Sequence, residues 1–280
     1  MKYVLITGAS TGIGYATASY LIEKGYFVFG SVRRQEDASR LSNELGTNFR
    51  ALIFDVREEE AIEKARQEVT QIVGEGGLAG LINNAGIVVH GPLKHLPVKE
   101  FERQFEVNVF GVLKVTQAFL SLLGAKNPNK AASGKIINIS SVSALFTNPF
   151  LVPYCASKAA LESITDGLRR ELLIYGIDVI SIQPGPVKTA IWEKAGSGEK
   201  DYEETDYGSV MRQTNKLIAK AEARAIDAKV PAKLIHKILV LKHPKTRYIL
   251  ANNRLQIMLS RILPDRWIDG FFKKMMNRKA

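Results

Sequence analysis

Cysteine is all but missing from this sequence: Cys155 is the only one in 280 residues. That excludes an internal disulfide and fits a reducing compartment. The small residues around Cys155 mark it as a packing residue. No uninterrupted apolar run approaches the roughly 18 residues that span a bilayer. The first run, in MKYVLITGASTGIG, is also too short for a secretory leader, so a cytosolic protein is expected. No metal-ligating pattern stands out. Acidic residues are scarce at one end. From Pro231 to Ala280 there are twelve Lys or Arg against two Asp, so nearly all of the formal net charge of +11 lies in that stretch.

What is present is ordinary for a soluble globular chain: 46% apolar and 24% charged residues, in a length that can bury a substantial core. Short apolar runs at 3–7, 27–31, 51–54, 78–83, 135–140, 178–183 and 248–251 read as strands. Several are apolar on consecutive residues, the pattern of parallel strands covered on both faces. Helical patterns lie near 13–24, 59–73, 99–123, 156–175 and 206–228. Repeated strand-then-helix order predicts an α/β, single-domain, doubly wound Rossmann fold with an about seven-stranded parallel sheet flanked by helices. Residues 1–251 form the expected dinucleotide-binding and catalytic domain, with a substrate loop near 188–229. Residues 252–280 form a basic amphipathic extension. The turn-rich stretch 124–134 reads as a surface loop. Residues 188–209 read as a mobile lid or as a plain surface excursion.

Gly8, Gly12 and Gly14 follow the spacing T-G-x-x-x-G-x-G straight after the first strand. Glycines there let the backbone turn tightly and approach a pyrophosphate at the N-terminus of the next helix. Ser10, Thr11 and Ile13 complete this candidate phosphate loop. Any tight strand-to-helix turn can use the same glycines without a ligand. The end of the second strand, FVFGSVRR, discriminates further. A carboxylate at this point would accept hydrogen bonds from the ribose of NAD. Here Arg33 and Arg34 follow Val32 instead, and an arginine fork suits a 2′-phosphate, which favours NADP(H) over NAD(H). Asp55 can accept from the adenine amino group beside Val56. Asn83, Ala85 and Gly86 end the fourth strand with residues that let the chain pass close to a ribose; either stretch can equally be a strand-end turn.

TGASTGIG (7–14), NNAG (83–86), FEVNVFG (105–111), INISS (137–141), YCASK (154–158) and PGPVKT (184–189) occur in this order. Together they make the chain closely resemble the short-chain dehydrogenase/reductase family over about its first 190 residues. A weaker resemblance, in YCASK and RRELLIYGIDV, is to the 17β-hydroxysteroid and retinol dehydrogenase branch. The family resemblance implies a catalytic tetrad of Asn108, Ser141, Tyr154 and Lys158. Ser141 lies thirteen positions before Tyr154, the family's spacing. Reduction of a ketone needs a proton for the developing alkoxide. A free tyrosine has a pKa near 10, and Lys158, one helical turn beyond Tyr154, is expected to lower it. Lys158 can also hold the ribose hydroxyls, Ser141 can hydrogen-bond the carbonyl oxygen, and the Asn108 backbone can bind a water that links Lys158 to solvent.

The family resemblance also implies that Pro184, Gly185, Val187 and Thr189 fix the nicotinamide. The weaker resemblance implies a fairly large apolar alcohol or ketone, of steroid or retinoid type, as substrate. Ser141, Leu145, Phe146, Tyr154 and Trp192 are its candidate contacts, with Phe150, Leu151 and Ile191 as further walls or structural core. Two other readings stay open: a reductase of smaller 3-oxoacyl or sugar carbonyls, and a nucleotide-sensing protein without turnover. A homodimer or homotetramer through 99–123 and 156–175 is also implied. Nucleic acid is not an expected partner, because the C-terminal charge is mixed with apolar residues and no recognised module is present. In that segment Leu255, Met258, Leu259, Ile262 and Leu263 form one helical stripe, and Trp267, Ile268, Phe271, Phe272, Met275 and Met276 another. Both are flanked by cations. They can rest on an anionic membrane, or cover the substrate cleft or an oligomer interface.

Overall fold

A computed structural model describes the chain except residues 126–132, 190–201, 253–262 and 277–280. Seven parallel strands form one sheet: β1 (Lys2–Ile6), β2 (Tyr26–Val32), β3 (Phe49–Ile53), β4 (Gly80–Asn83), β5 (Lys135–Ile139), β6 (Asp178–Pro184) and β7 (Arg247–Leu250). Their order is β3-β2-β1-β4-β5-β6-β7. In the first half the chain winds outward from β1 to β3, then crosses back to β4. That reversal between β1 and β4 leaves a crevice at the carboxyl ends of the strands, where such sheets take ligands.

Consecutive apolar residues in the strands serve two cores. Val4 and Ile6 of β1 face one cluster, with Val28, Val32, Ile137, Ile180 and Ile182. Leu5 faces the other, with Phe29, Leu81, Ile136 and Val179. The first layer is covered by α1 (Gly12–Glu23), α2 (Gln35–Leu45) and α8 (Lys229–Val240), which contribute Leu21, Leu41 and Ile235. The second is covered by α3 (Glu59–Val73) and α5 (Gly111–Phe119) through Ile62, Val69, Val115 and Phe119. Helices α2 and α8 are absent from the expected set. In α2 only Ala38 and Leu41 are buried on an otherwise polar surface, too few to raise a clear periodic pattern.

The helix α4 (Val98–Phe105) runs through a π turn (Glu106–Phe110) into α5. The continuous helical stretch Val98–Leu123 is long and apolar enough to cross a membrane, but half of its most apolar window is buried within the fold. Helix α6 (Val152–Glu171) starts four residues earlier than expected, with Pro153 in its first turn. Beneath it, Arg247 of β7 donates to Glu162 at 2.9 Å and pairs with Asp166 at 2.7 Å, while Ser181 of β6 donates to Glu162. These contacts fasten α6 to the sheet. Among the described residues, helices α7 (Gly208–Ala223) and α9 (Asp265–Met276) also lie in the C-terminal part.

Candidate active site

The loops after β1, β4, β5 and β6 meet along one edge of the sheet. Gly8 and Gly12 have φ of +67° and +59°, in the left-handed region that a side chain would strain. A Cβ on Gly14 would lie 2.2 Å from the Gly8 carbonyl oxygen, and one on Gly8 would lie 2.9 Å from Ala85 Cα. The loop is therefore cradled directly against the NNAG turn. Thr189 closes over it, since a Cβ on Gly12 would come within 2.8 Å of Thr189 Cγ2. Thr11 begins α1 without a side-chain cap, and no acidic residue occupies the first turn. Free amides at an uncapped helix N-terminus, beside backbone that no side chain can obstruct, fit a pyrophosphate.

Two residues outside the expected set hold this loop. Asn84 Nδ2 donates to the carbonyls of Thr7 and Gly8 at 2.9 and 3.0 Å, and Gly8 N donates to Ser31 Oγ at 3.0 Å. Asn83, expected at the cofactor, instead turns into the sheet. Its Nδ2 donates to Thr116 Oγ1 and Asn138 Oδ1 at 3.0 and 2.9 Å. Alternation along β4 decides which amide faces the crevice, and the NN pair in the sequence cannot. Ala85 and Gly86 stay at the turn.

Arg33 and Arg34 are exposed at the end of β2. Asp55 is chelated by Arg57, whose Nε and Nη2 donate at 3.0 and 2.9 Å. Burial pushes the Asp55 carboxyl up, but Arg57 outweighs it and holds the group below its ordinary range. Val56 is buried against Gly111, where a Cβ would meet it at 2.6 Å. Pro184 ends β6. Gly185 N donates to Leu250 O at 2.8 Å, and Val187 bridges to Ile226, so this turn is braced by its neighbours.

The four tetrad positions come together, all of them buried. Tyr154 sits in the first turn of α6, packed with Val88, Leu151 and Cys155. Its hydroxyl is hydrogen-bonded with Ser141, whose Oγ also accepts from Ser143 N at 3.1 Å. Asn108 lies in the π turn, a distortion common at functional sites. Its Oδ1 accepts from Ile87 N at 2.9 Å, and its Nδ2 donates to Ile87 O and to Ser157 Oγ at 3.1 and 3.2 Å. One amide thus joins the strand-end loop to α6. Gln104, which the sequence did not mark, clamps the same loop through Val89 N and Ile87 O.

Burial works against the expected lowering of the Tyr154 pKa by Lys158. Burial raises the phenol to about 12, and the Ser141 hydrogen bond opposes this without reversing it. Burial lowers the Lys158 amine to about 8, with Glu162 acting against it. Both groups lose hydration in the same enclosed region, which favours the neutral form of each. Lys158 Nζ donates to the carbonyl of Ile139 at 2.8 Å.

On the substrate side, Leu145 and Phe146 are half-buried beside Tyr154's helix. Phe150, which has an unusual φ of +65°, packs with Tyr202 and Met211. Leu151 belongs to the Tyr154 cluster. Ile191, Trp192 and most of the expected lid lie outside the described residues, as do Leu255, Met258, Leu259 and Ile262 and most of the 124–134 loop. The expected C-terminal stripe of Trp267 to Met276 is split. Phe272 stacks on Phe146 and Met276 joins the Phe150 cluster, while Trp267 and Phe271 face outward.

A family model described as short chain dehydrogenase matches residues 2–200. The chain is 42% identical over 279 residues to the NADPH-dependent 3-dehydrocapnine reductase of Ornithobacterium rhinotracheale, covering 99% of this chain and 98% of that protein. It is 32% identical over 262 residues to retinol dehydrogenase 16 of Mus musculus, covering 88% and 80%. Among solved structures, the closed form of a serine dehydrogenase complexed with NADP+ matches with a TM-score of 0.73 and 26% identity, covering 89% of this chain and 94% of that one.

Proposed function

This chain belongs to the short-chain dehydrogenase/reductase family, and we propose that it is an NADP(H)-dependent oxidoreductase that reduces an apolar ketone or aldehyde to the alcohol. NADP(H) is supported by the exposed Arg33 and Arg34 at the end of β2, by the NADPH dependence of the 42%-identical relative and by the NADP+ complex of the structural neighbour. When bound, the dinucleotide supplies hydride to the carbonyl carbon. Its pyrophosphate would rest on Gly8, Ser10, Thr11, Gly12, Ile13 and Gly14, with the 2′-phosphate toward Arg33 and Arg34.

The observation that carries the reading is the buried, hydrogen-bonded Ser141–Tyr154 pair with Lys158 one turn along α6. A phenol raised to about 12 is fully protonated at neutral pH, the form a proton donor needs. It remains far more acidic than the alkoxide that forms as hydride arrives, so proton transfer from Tyr154 to that oxygen runs downhill. Ser141 donates to the same oxygen and limits charge build-up. Lys158, as the ammonium, stabilises the phenolate left behind. Asn108 holds the Ile87 loop to α6 and so keeps these groups in register.

The half-buried Leu145 and Phe146, with retinol dehydrogenase among the relatives, support an apolar substrate. The reading also includes a cytoplasmic homodimer or homotetramer, with peripheral membrane contact through the basic C-terminal segment. Phe110, Leu173 and Ile174 are exposed on or beside the helices that such an assembly would use. A panel of ketones, aldehydes and alcohols assayed with NADPH and NADH by nicotinamide absorbance tests the proposal. Turnover is expected for long apolar carbonyls with NADPH, and binding of NADPH without turnover on any carbonyl would refute it.

A further inference from the structure

Helix α9 carries apolar residues on two sides, and among the described residues only one side is covered. Phe272 and Met276, one turn apart, face the protein. Phe272 lies 6.1 Å from Phe146 between ring centroids, and Met276 packs on Phe150, Tyr202 and Met211. On the other side Trp267 and Phe271, also one turn apart, are 71% and 66% exposed, and Leu263 just ahead of the helix is 45% exposed. A helix needs one apolar stripe to dock on its own fold. The second stripe has no partner in the chain's described residues.

Cations border that stripe. Lys274 follows Trp267 by seven residues, two turns on the same side, and Arg266 and Lys273 flank it; all three are exposed. They belong to the segment with twelve cations against two anions. A second copy of this face would bring like charges together in a symmetric pairing. Anionic lipid headgroups complement the cations, and the boundary between headgroups and acyl chains suits Trp and Phe.

We propose that the outer face of α9 docks the protein on an anionic lipid bilayer, with Trp267 and Phe271 in the interface and Arg266, Lys273 and Lys274 at the lipid phosphates. This rests on the apolar-substrate reading and extends it: the substrate is an amphiphile drawn from the membrane. The inner face of the same helix leads to the site. Phe272 lies on Phe146, whose carbonyl is 4.0 Å from Sγ of Cys155, next to Tyr154.

The test is flotation of the full-length protein with vesicles of phosphatidylglycerol and phosphatidylcholine in equal parts, against phosphatidylcholine alone. Flotation with the mixed vesicles, lost on raising the salt, is expected. A Trp267→Ser/Phe271→Ser variant should lose it. Replacing Arg266, Lys273 and Lys274 with Gln should lower the partition coefficient on the order of a hundredfold, at about fivefold per cation. Circular dichroism and NADPH reduction of a water-soluble ketone should be unchanged in both variants. Absence of flotation, or flotation that both variants retain, overturns the proposal. So does an oligomer, measured by light scattering, that dissociates in the Trp267→Ser/Phe271→Ser variant. Reduction of an apolar ketone from detergent micelles reads the proposed function separately: a chain that turns it over but ignores vesicles sinks the docking face alone.

Discussion

The amine of Lys158 lies 5.8 Å from the centroid of the Tyr154 ring and gives its hydrogen bond to the Ile139 carbonyl, 2.8 Å away. The two side chains lie one turn apart on α6, and burial is the largest influence on the phenol. Burial acts on both, raising Tyr154 to about 12 and lowering Lys158 to about 8. The site is thereby set with a protonated phenol beside an amine that keeps its charge only below about pH 8, an arrangement suited to delivering a proton to a reduced carbonyl.

Removing the donor isolates its role. Tyr154→Phe should lower turnover on the order of a thousandfold, within the range for a lost general acid. NADPH binding by fluorescence titration should stay within about twofold of the parent, since the glycine cradle is untouched. Turnover close to the parent rate would exclude Tyr154 as the donor.

The Lys158 amine makes reduction pH-dependent. Its folded value of about 8 predicts that kcat falls as pH rises through that point, because the ammonium that stabilises the phenolate is lost. Lys158→Arg, charged throughout, should shift the limb upward. Stability moves in the opposite sense. The unfolded amine titrates at its ordinary value of 10.5, above the folded one, so the unfolded chain holds the proton more tightly between about 8 and 10.5. Stability should therefore rise with pH across that window, and Lys158→Met should flatten the rise in denaturant melts. A kcat profile without a limb near 8 would contradict this assignment.

Arg33 should discriminate between cofactors. Arg33→Ala is expected to raise KM for NADPH by roughly tenfold to a hundredfold, the range for a lost hydrogen bond between charged groups, while leaving KM for NADH nearly unchanged. Parallel changes in both constants would mean that Arg33 does not meet a 2′-phosphate.

The two asparagines ending β4 should fail in different ways. Asn83→Leu removes a buried amide that serves Thr116 and Asn138. It should cost about 1–3 kcal/mol in urea melts through the polar partners left unsatisfied. Asn84→Ala frees the carbonyls of Thr7 and Gly8 and should act mainly on NADPH affinity by calorimetry. A reversed pattern would show that the glycine loop is held by something other than Asn84.

Much of this protein is legible in its residues alone. Runs such as YVLI and KIINI, apolar on consecutive positions, can be buried only if both faces of a sheet are covered, so the parallel, doubly wound architecture follows from local composition. The glycine loop is legible in its own spacing, and the candidate tetrad through motifs that resemble the family's, in the family's order. What depends on distant neighbours is not legible. Which of Asn83 and Asn84 faces the crevice is decided by the pleat of β4 against β1 and β5. The split of the C-terminal stripe between Phe272 and Trp267 is decided by where Phe146 and Tyr202 offer a surface. The charge four residues along the sequence predicts an acidified Tyr154, whereas the removal of water around the site pushes its pKa up. Desolvation is a property of everything packed around a group, and only the tertiary structure determines what that is.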